Sequence, residues 1–292
     1  MTRYPSLVRS GDPRFGLPPA EALAKADLVS AKAEVEPFLR NAPIEVVIVG
    51  DVTVDEAIAQ TAKTFGALPK RSSERPQVPG ADEIRFTKGI ATPHRLQHSG
   101  RPDVALGLVS WQTDDFHDDP AEARAVQVLR SVVSIRAMEK LREELGATYA
   151  PQVMQESSEV FDEFGLLTVF AEVKPTETSS LMAAIEAVAE ELKAKPLPAE
   201  DLARAVQPLI DQIGKDMATN NFWATRLASA SWDPRRLDII RTQEAHLKKV
   251  TPADLQLVAK KYLRGDRSFK LLVEPKNQTQ AAKGAAPTSS RR

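Results

Sequence analysis

The sequence predicts an α/β sandwich of the α+β kind: a mixed, largely antiparallel sheet with helices packed mainly on one face. Two observations carry this. Helical and strand-like stretches interleave along the chain, which calls for layers of both. In the middle, "ATYAPQVMQES" and "EFGLLTVFAEVKP" follow one another with only the acidic turn Ser157 to Glu163 between them. That spacing makes an antiparallel pair and argues against a doubly wound parallel sheet.

Taken in order, residues 1–19 are rich in Pro, Gly and Arg and read as loop. Pro18 to Ala42 reads as one helix, with Pro at its start, Asn41 near its stop and Pro37 kinking or shortening its last turns. "PIEVVIVGDV" reads as a buried strand ending in Gly50-Asp51. An amphipathic helix follows, with Thr53 and Glu56 spaced as a capping box and Ala57, Ile58, Ala62 and Phe65 on one face. Residues 69–84 are polar, Pro-rich linker. "IRFTKGIATPHRLQHSG" and "DVALGLVSWQT" read as two strands joined by a "GRPD" turn. A long helix begins at Pro120, with Asp118 and Asp119 at its positive end. Its apolar stripe is Val126, Leu129, Val133, Ala137, Leu141 and Leu145. After the strand pair come helices over about Glu177–Ala194 and Ala199–Ala218, then a Trp-bearing helix or loop over Asn220–Trp232. "TPADLQLVAKKYL" is a short capped helix and "SFKLLVEP" a last strand. Residues 277–292 lack the apolar content to fold and read as a disordered tail.

Composition removes several function classes. Lys and Arg number 39 against 40 Asp and Glu, so no basic excess exists to attract nucleic acid. With no cysteine, disulfide scaffolds, thiolate zinc sites and cysteine nucleophiles are out. The apolar runs are far too short to insert in a membrane. No signal peptide is visible, and the compartment stays open.

Catalytic motifs are equally sparse. "VVIVGDV" lacks both glycine-rich phosphate patterns and reads as a strand, a turn and a capped helix. His94 and His98 have H-x3-H spacing on a strand-like stretch, without a third ligand or base, and read as edge-strand side chains. His117 and His246 read as solvated. No H-x-x-E-H, H-E-x-x-H or G-x-S-x-G occurs. Glu156, Glu159, Asp162 and Glu163 crowd an exposed turn, where charge serves solubility; Trp111, Trp223 and Trp232 read as core or domain-contact residues. The residues therefore supply no catalytic group and no metal site. "LREELGATY", Leu141 to Tyr149, stands out: a charged helix stops at Gly146 with Arg142 before it and Tyr149 after it. On the residues alone, Arg142 pairing with a local acid and Tyr149 half-buried in the core remain sufficient explanations.

"IEVVIVGDVTVDEAIAQTAKTFGALPKR" resembles the strand–helix stretch of a domain in the pitrilysin/insulinase (M16) metallopeptidase family. There a "VGD" turn precedes a helix ending in "FG-x-LP", as Phe65, Gly66, Leu68 and Pro69 do here. "LREELGATYAPQV" is similar to the family's second-half motif, an Arg and then a Tyr after an "LG-x-x-Y" turn; Arg142 and Tyr149 hold those places. "GDPRF" and its distance from the VGD stretch resemble the larger periplasmic-type bacterial members. The resemblance covers about residues 12 to 275 and implies a fold of the LuxS/MPP-like metallohydrolase type. It also implies a clamshell whose H-x-x-E-H zinc site lies in the amino-terminal half, so zinc is expected there and no cofactor in this chain. The implied division is residues 1–41 as the remnant of a preceding domain, 42–275 as the carboxy-terminal, non-catalytic domain, and 276–292 as the tail. Arg142 and Tyr149 are then expected to hold a peptide substrate beside the zinc of an H-x-x-E-H-bearing half, in cis or in trans. A guanidinium and a phenol can both donate to a peptide carbonyl and to the oxyanion forming on it. A strand edge near Tyr149 could add the peptide by main-chain pairing. The rival reading is a structural subunit of an M16-like complex with no peptide role.

Overall fold

Ala105–Thr113 is buried on both faces and sets the centre of the sheet. The computed structural model describes residues 2–75, 77–87, 89, 92–146 and 150–276. Among them the strands are β1 (His94–His98), β2 (Ala105–Thr113), β3 (Gln152–Ser157), β4 (Gly165–Val173) and β5 (Ser268–Pro275). Their order is β1-β5-β2-β4-β3, antiparallel throughout except for the parallel β1–β5 pair. The expected antiparallel pair is present as β3 and β4, registered from Gln152 opposite Phe170 to Ser157 opposite Gly165.

The expected β1–β2 neighbours are not adjacent, because β5 lies between them. A doubly buried strand such as β2 needs an apolar partner on each side. The last strand supplies Phe269, Leu271 and Leu272. β1 alternates half-buried and exposed residues, the pattern of an edge.

The helices are α1 (Tyr4–Val8), α2 (Ala20–Lys25), α3 (Leu28–Asn41), α4 (Val54–Lys63), α5 (Pro120–Leu145), α6 (Thr178–Ala194), α7 (Ala199–Met217), α8 (Asn220–Leu227), α9 (Arg235–Lys249) and α10 (Pro252–Tyr262). From α5 onward they form a layer on one sheet face. Val109, Val153, Leu167 and Val169 of the sheet meet Leu129 and Leu141 of α5, Leu181 and Ile185 of α6 and Val258 of α10. The predicted α5 stripe is buried at Val126, Leu129, Val133, Ala137 and Leu141; the Leu145 side chain lies outside the described residues. Asp119 caps α5, accepting the Ala121 and Glu122 N–H groups at 3.0 Å each. α9, unforeseen in the sequence, buries Ile239, Ile240, Gln243 and Leu247 along one side of a highly charged helix.

Among the described residues the other sheet face carries no helix layer like that of α5–α10. Leu108, Phe164, Leu166, Phe269 and Leu271 are closed there in part by Val8, with Tyr4, Ile84 and Phe86 beside them. The loop expected over residues 1–19 is thus helical at Tyr4–Val8. Pro5 pre-sets the first turn, and the Tyr4 hydroxyl bonds Ser110 (3.0 Å) and Thr168 (2.8 Å).

Residues 17–68 differ most from expectation. The single helix Pro18–Ala42 is two, because the Asp27 side chain accepts the Ser30 N–H at 2.8 Å and caps a new start; α3 then runs through Pro37. α4 has its Thr53–Glu56 capping box, yet α2, α3 and α4 bury no residue. "PIEVVIVGDV" forms no strand, and Ile44, Val46, Val47 and Ile48 are 36–48% exposed. A strand exists only where another offers hydrogen bonds, and no described strand lies beside this one. Glu45 ties the stretch to the body by accepting the Ser229 and Ser231 N–H groups.

A polar latch fixes α10 to the sheet and to α5. The buried Tyr262 hydroxyl bonds Asp114 (2.8 Å) and Glu122, and Lys261 Nζ reaches Asp114 (2.8 Å) and Glu122 (2.7 Å). Burial opposes ionisation of Asp114, but the bonds from Lys261 and Tyr262 outweigh it and hold its pKa below the usual carboxylate value. A depressed carboxylate contributes stability above its unfolded pKa of about 4, which is lost as pH falls through the folded value. The urea midpoint should therefore fall between pH 7 and pH 3, and Asp114→Asn should fall less across that window while starting lower at pH 7.

Candidate functional site

Helix α5 leaves the core abruptly. Leu141 is fully buried, whereas Arg142, Glu143 and Glu144 stand in solvent. The helix stops at Gly146, whose φ of +86° suits glycine and whose N–H caps the Arg142 carbonyl at 3.2 Å. A cation in this last turn complements the negative end of the helix. The neighbouring acids are engaged by Lys140, which reaches Glu144 at 3.1 Å and Glu143 at 3.9 Å. Among the described residues no carboxylate lies within ion-pair distance of Arg142. Tyr149 lies outside the described residues, with Ala147 and Thr148. Three residues beyond it β3 begins, so the helix end carrying Arg142 feeds directly into the outermost strand on that side of the sheet.

β3 pairs with β4 on one side only. On α5, Arg130 Nε donates to the Val153 carbonyl at 3.1 Å. Gln152, Met154 and Glu156 alternate outward on this strand. Two open grooves meet at Phe170 of β4. One, of about 540 Å³, is lined by Arg101, Asp103, Gln152 and Glu172. The other, of about 450 Å³, is lined by Arg9, Phe15, Met154 and Glu156. Arg9 is buried, lies 4.3 Å from the Phe15 ring centre and pairs with Glu156. The surface beside β3 thus combines apolar troughs with charges of both signs.

The histidines are dispersed. His98 bonds the Val104 carbonyl (2.9 Å) through Nε2 and accepts the Gly100 N–H (3.0 Å) at Nδ1, so it staples its own turn. His94, on the edge strand as expected, packs toward Phe269. His117 is not solvated: its side chain is 7% exposed, because its acidic loop folds over α9. His246 is half-buried, with Nδ1 unpartnered. Among the described residues no three His, Asp or Glu side chains group to hold a metal. Zinc does not fit the residues present.

The family model described as the peptidase M16 inactive domain matches residues 35–209. The chain belongs to the M16 peptidase family. No curated protein matches it. The periplasmic protease PqqL from Escherichia coli superposes with a TM-score of 0.74 at 16% identity, over 94% of this chain and 30% of that one. An M16 inactive domain from Pseudomonas fluorescens gives 0.70 at 17% identity, over 93% and 64%. The ferredoxin protease FusC, solved as an E83A mutant with Arabidopsis ferredoxin, gives 0.71 at 14% identity, over 93% and 29%. This M16 chain thus spans between under a third and under two thirds of the length of these neighbours. It has the fold of the M16 carboxy-terminal, inactive domain, and the inactive assignment agrees with its lack of an H-x-x-E-H motif.

The sequence pointed to Arg142 but not to the grooves, whose walls come from four separate stretches. Arg9 and Phe15 carried no periodic signal that could have placed them beside β3.

Proposed function

We propose that this M16 inactive domain binds peptide and completes the chamber of a half carrying H-x-x-E-H and zinc, in cis or in trans. The observation that carries this reading is Arg142. A helix buried through Leu141 presents it to solvent, with no acid partner among the described residues, ten residues before the first residue of the outermost strand. Such a guanidinium can donate to a peptide carbonyl or to the oxyanion formed from it. Tyr149, by its place in the motif, would supply the second donor. The family supports the pairing with a catalytic half, and two structural neighbours are proteases, one solved with a protein bound.

Residues 17–69 would be the docking element, reaching past the residue-41 boundary suggested by the sequence. Their helices bury nothing here, and the strand-like 43–49 run would gain both a pairing edge and apolar cover on a preceding α/β unit. Val46→Asp with Ile48→Asp should weaken assembly with the catalytic half by at least about tenfold, since two exposed apolar side chains that assembly would cover are replaced by charge. The thermal midpoint of the chain alone should stay within about 2 °C, because both positions are already exposed. Sedimentation velocity of the mixture and calorimetry of the chain check the two halves of this statement.

The function is tested by adding this chain to an H-x-x-E-H-bearing half and following peptide cleavage. Cleavage that needs the chain, and falls on Arg142→Ala with assembly intact, supports substrate contact. Cleavage indifferent to Arg142→Ala and Tyr149→Phe identifies a scaffold subunit instead.

A further inference from the structure

Away from Arg142, the described residues bury positive charge without balancing it. The loop between β2 and α5, the first turns of α5, the β3–β4 turn, α8 and α9 enclose a cavity of about 20 Å³. His117, Arg124, Glu159, Arg226 and Arg236 line it. We propose that this cavity binds one small monovalent anion of chloride size.

Arg124 is only 6% exposed. Its guanidinium donates to Gln127 Oε1 at 2.9 Å and stacks 4.6 Å from the Phe116 ring centre. Among the described residues no carboxylate pairs with it. The single wall carboxylate, Glu159, is already taken by Arg236 at 2.6 Å, with Arg226 at 3.9 Å. Arg236 Nε and both ring nitrogens of His117 are buried without a hydrogen-bond partner. The acids just outside are engaged as well. Asp115 accepts the backbone N–H groups of His117, Asp118 and Glu163 at 2.6, 3.1 and 2.8 Å. Asp233 accepts Arg235 Nε at 2.8 Å and stands 3.6 Å from His117 Nε2. Three guanidinium groups against one carboxylate leave the wall two positive charges in excess before His117 is counted.

A buried cation without a counter-charge is costly, and so is each buried donor left unpaired. Burial and then the charge of Arg226 push Arg124 down to about 10, which still leaves it charged at neutral pH. An anion would answer both deficits. The space is tight: the centre of a water-sized sphere has only about 20 Å³ to move in, which suits a compact anion such as a halide. Chloride held there would bridge α5, α8 and α9 as a structural counter-ion, a role separate from the peptide site.

The test is the thermal midpoint of the whole chain at constant ionic strength, with sodium gluconate replaced stepwise by sodium chloride. Gluconate is too large to enter. The midpoint should rise with the logarithm of chloride concentration above the dissociation constant, by roughly 2 °C at ten times that constant. Arg124→Met should abolish the rise. If that variant does not fold, Arg226→Gln, at an exposed helix end, should move the chloride concentration at which the midpoint begins to rise upward at least about fivefold, because it removes one of the wall's charges. Crystals grown in bromide should show an anomalous peak within hydrogen-bonding distance of Arg124 or Arg236. A midpoint indifferent to chloride, a response unchanged in the variant that folds, or water alone in the cavity would each overturn the proposal.

Discussion

On the proposed function, Arg142→Ala should lower kcat/KM of the assembled peptidase by roughly 30-fold, the effect of removing a hydrogen bond from a charged donor worth about 2 kcal/mol. The helix that carries Arg142 is buried through Leu141, and the side chain beyond it is exposed, so the substitution leaves the fold intact. Thermal midpoint and assembly should be unchanged. The loss should fall on kcat if the guanidinium reaches the developing oxyanion, and on KM if it holds only the ground-state backbone. Arg142→Lys should recover part of the activity, since an ammonium keeps the charge but not the planar fork. Tyr149→Phe, which removes one donor and no bulk, should cost roughly tenfold. Steady-state kinetics on one peptide across the four proteins check these outcomes together.

Gly165→Ala destabilises the chain by roughly 3 kcal/mol, the upper part of the range for overpacking. Gly165 opens β4 where three backbone stretches converge, opposite Thr113 on one side and Ser157 on the other. A methyl group there would lie 2.4 Å from Thr113 Oγ1, 2.6 Å from the Asp114 carbonyl and 2.8 Å from the Glu156 carbonyl. Two of these neighbours are backbone on opposite flanks, so the strand cannot move away from one without meeting the other. The predicted fall in thermal midpoint is roughly 5 °C for a chain of this size, read by calorimetry. A change at Gly214, where an added Cβ meets nothing within 4 Å, is the matched control and should not destabilise the helix.

The contrast between these two sites also says what the sequence could convey. The β3–β4 pair, α5 and the Thr251-capped α10 were legible because local pattern fixes them: alternation, a helical stripe, a capping pair. Fold class followed from the order of such elements. Sheet order did not, because β5 joins β1 and β2 from more than 150 residues away in sequence, and no local signal encodes that pairing. "PIEVVIVGDV" has strand composition, but composition cannot supply the strand it must pair with. The burial of His117 was equally hidden, since the same acidic loop would read as solvated wherever it fell. For the candidate site, the helix stop and Arg142 were visible as a motif. The grooves, assembled from Arg9, Arg101, Met154 and Phe170, exist only after folding.

The most direct measurement is peptide cleavage by this chain alone and then mixed with an H-x-x-E-H-bearing half, with zinc determined in each. Turnover that appears only in the mixture, with zinc only in the other half and loss on Arg142→Ala, is the predicted result. Chelator-sensitive cleavage by this chain alone, with stoichiometric zinc bound to it, would contradict the account at its centre.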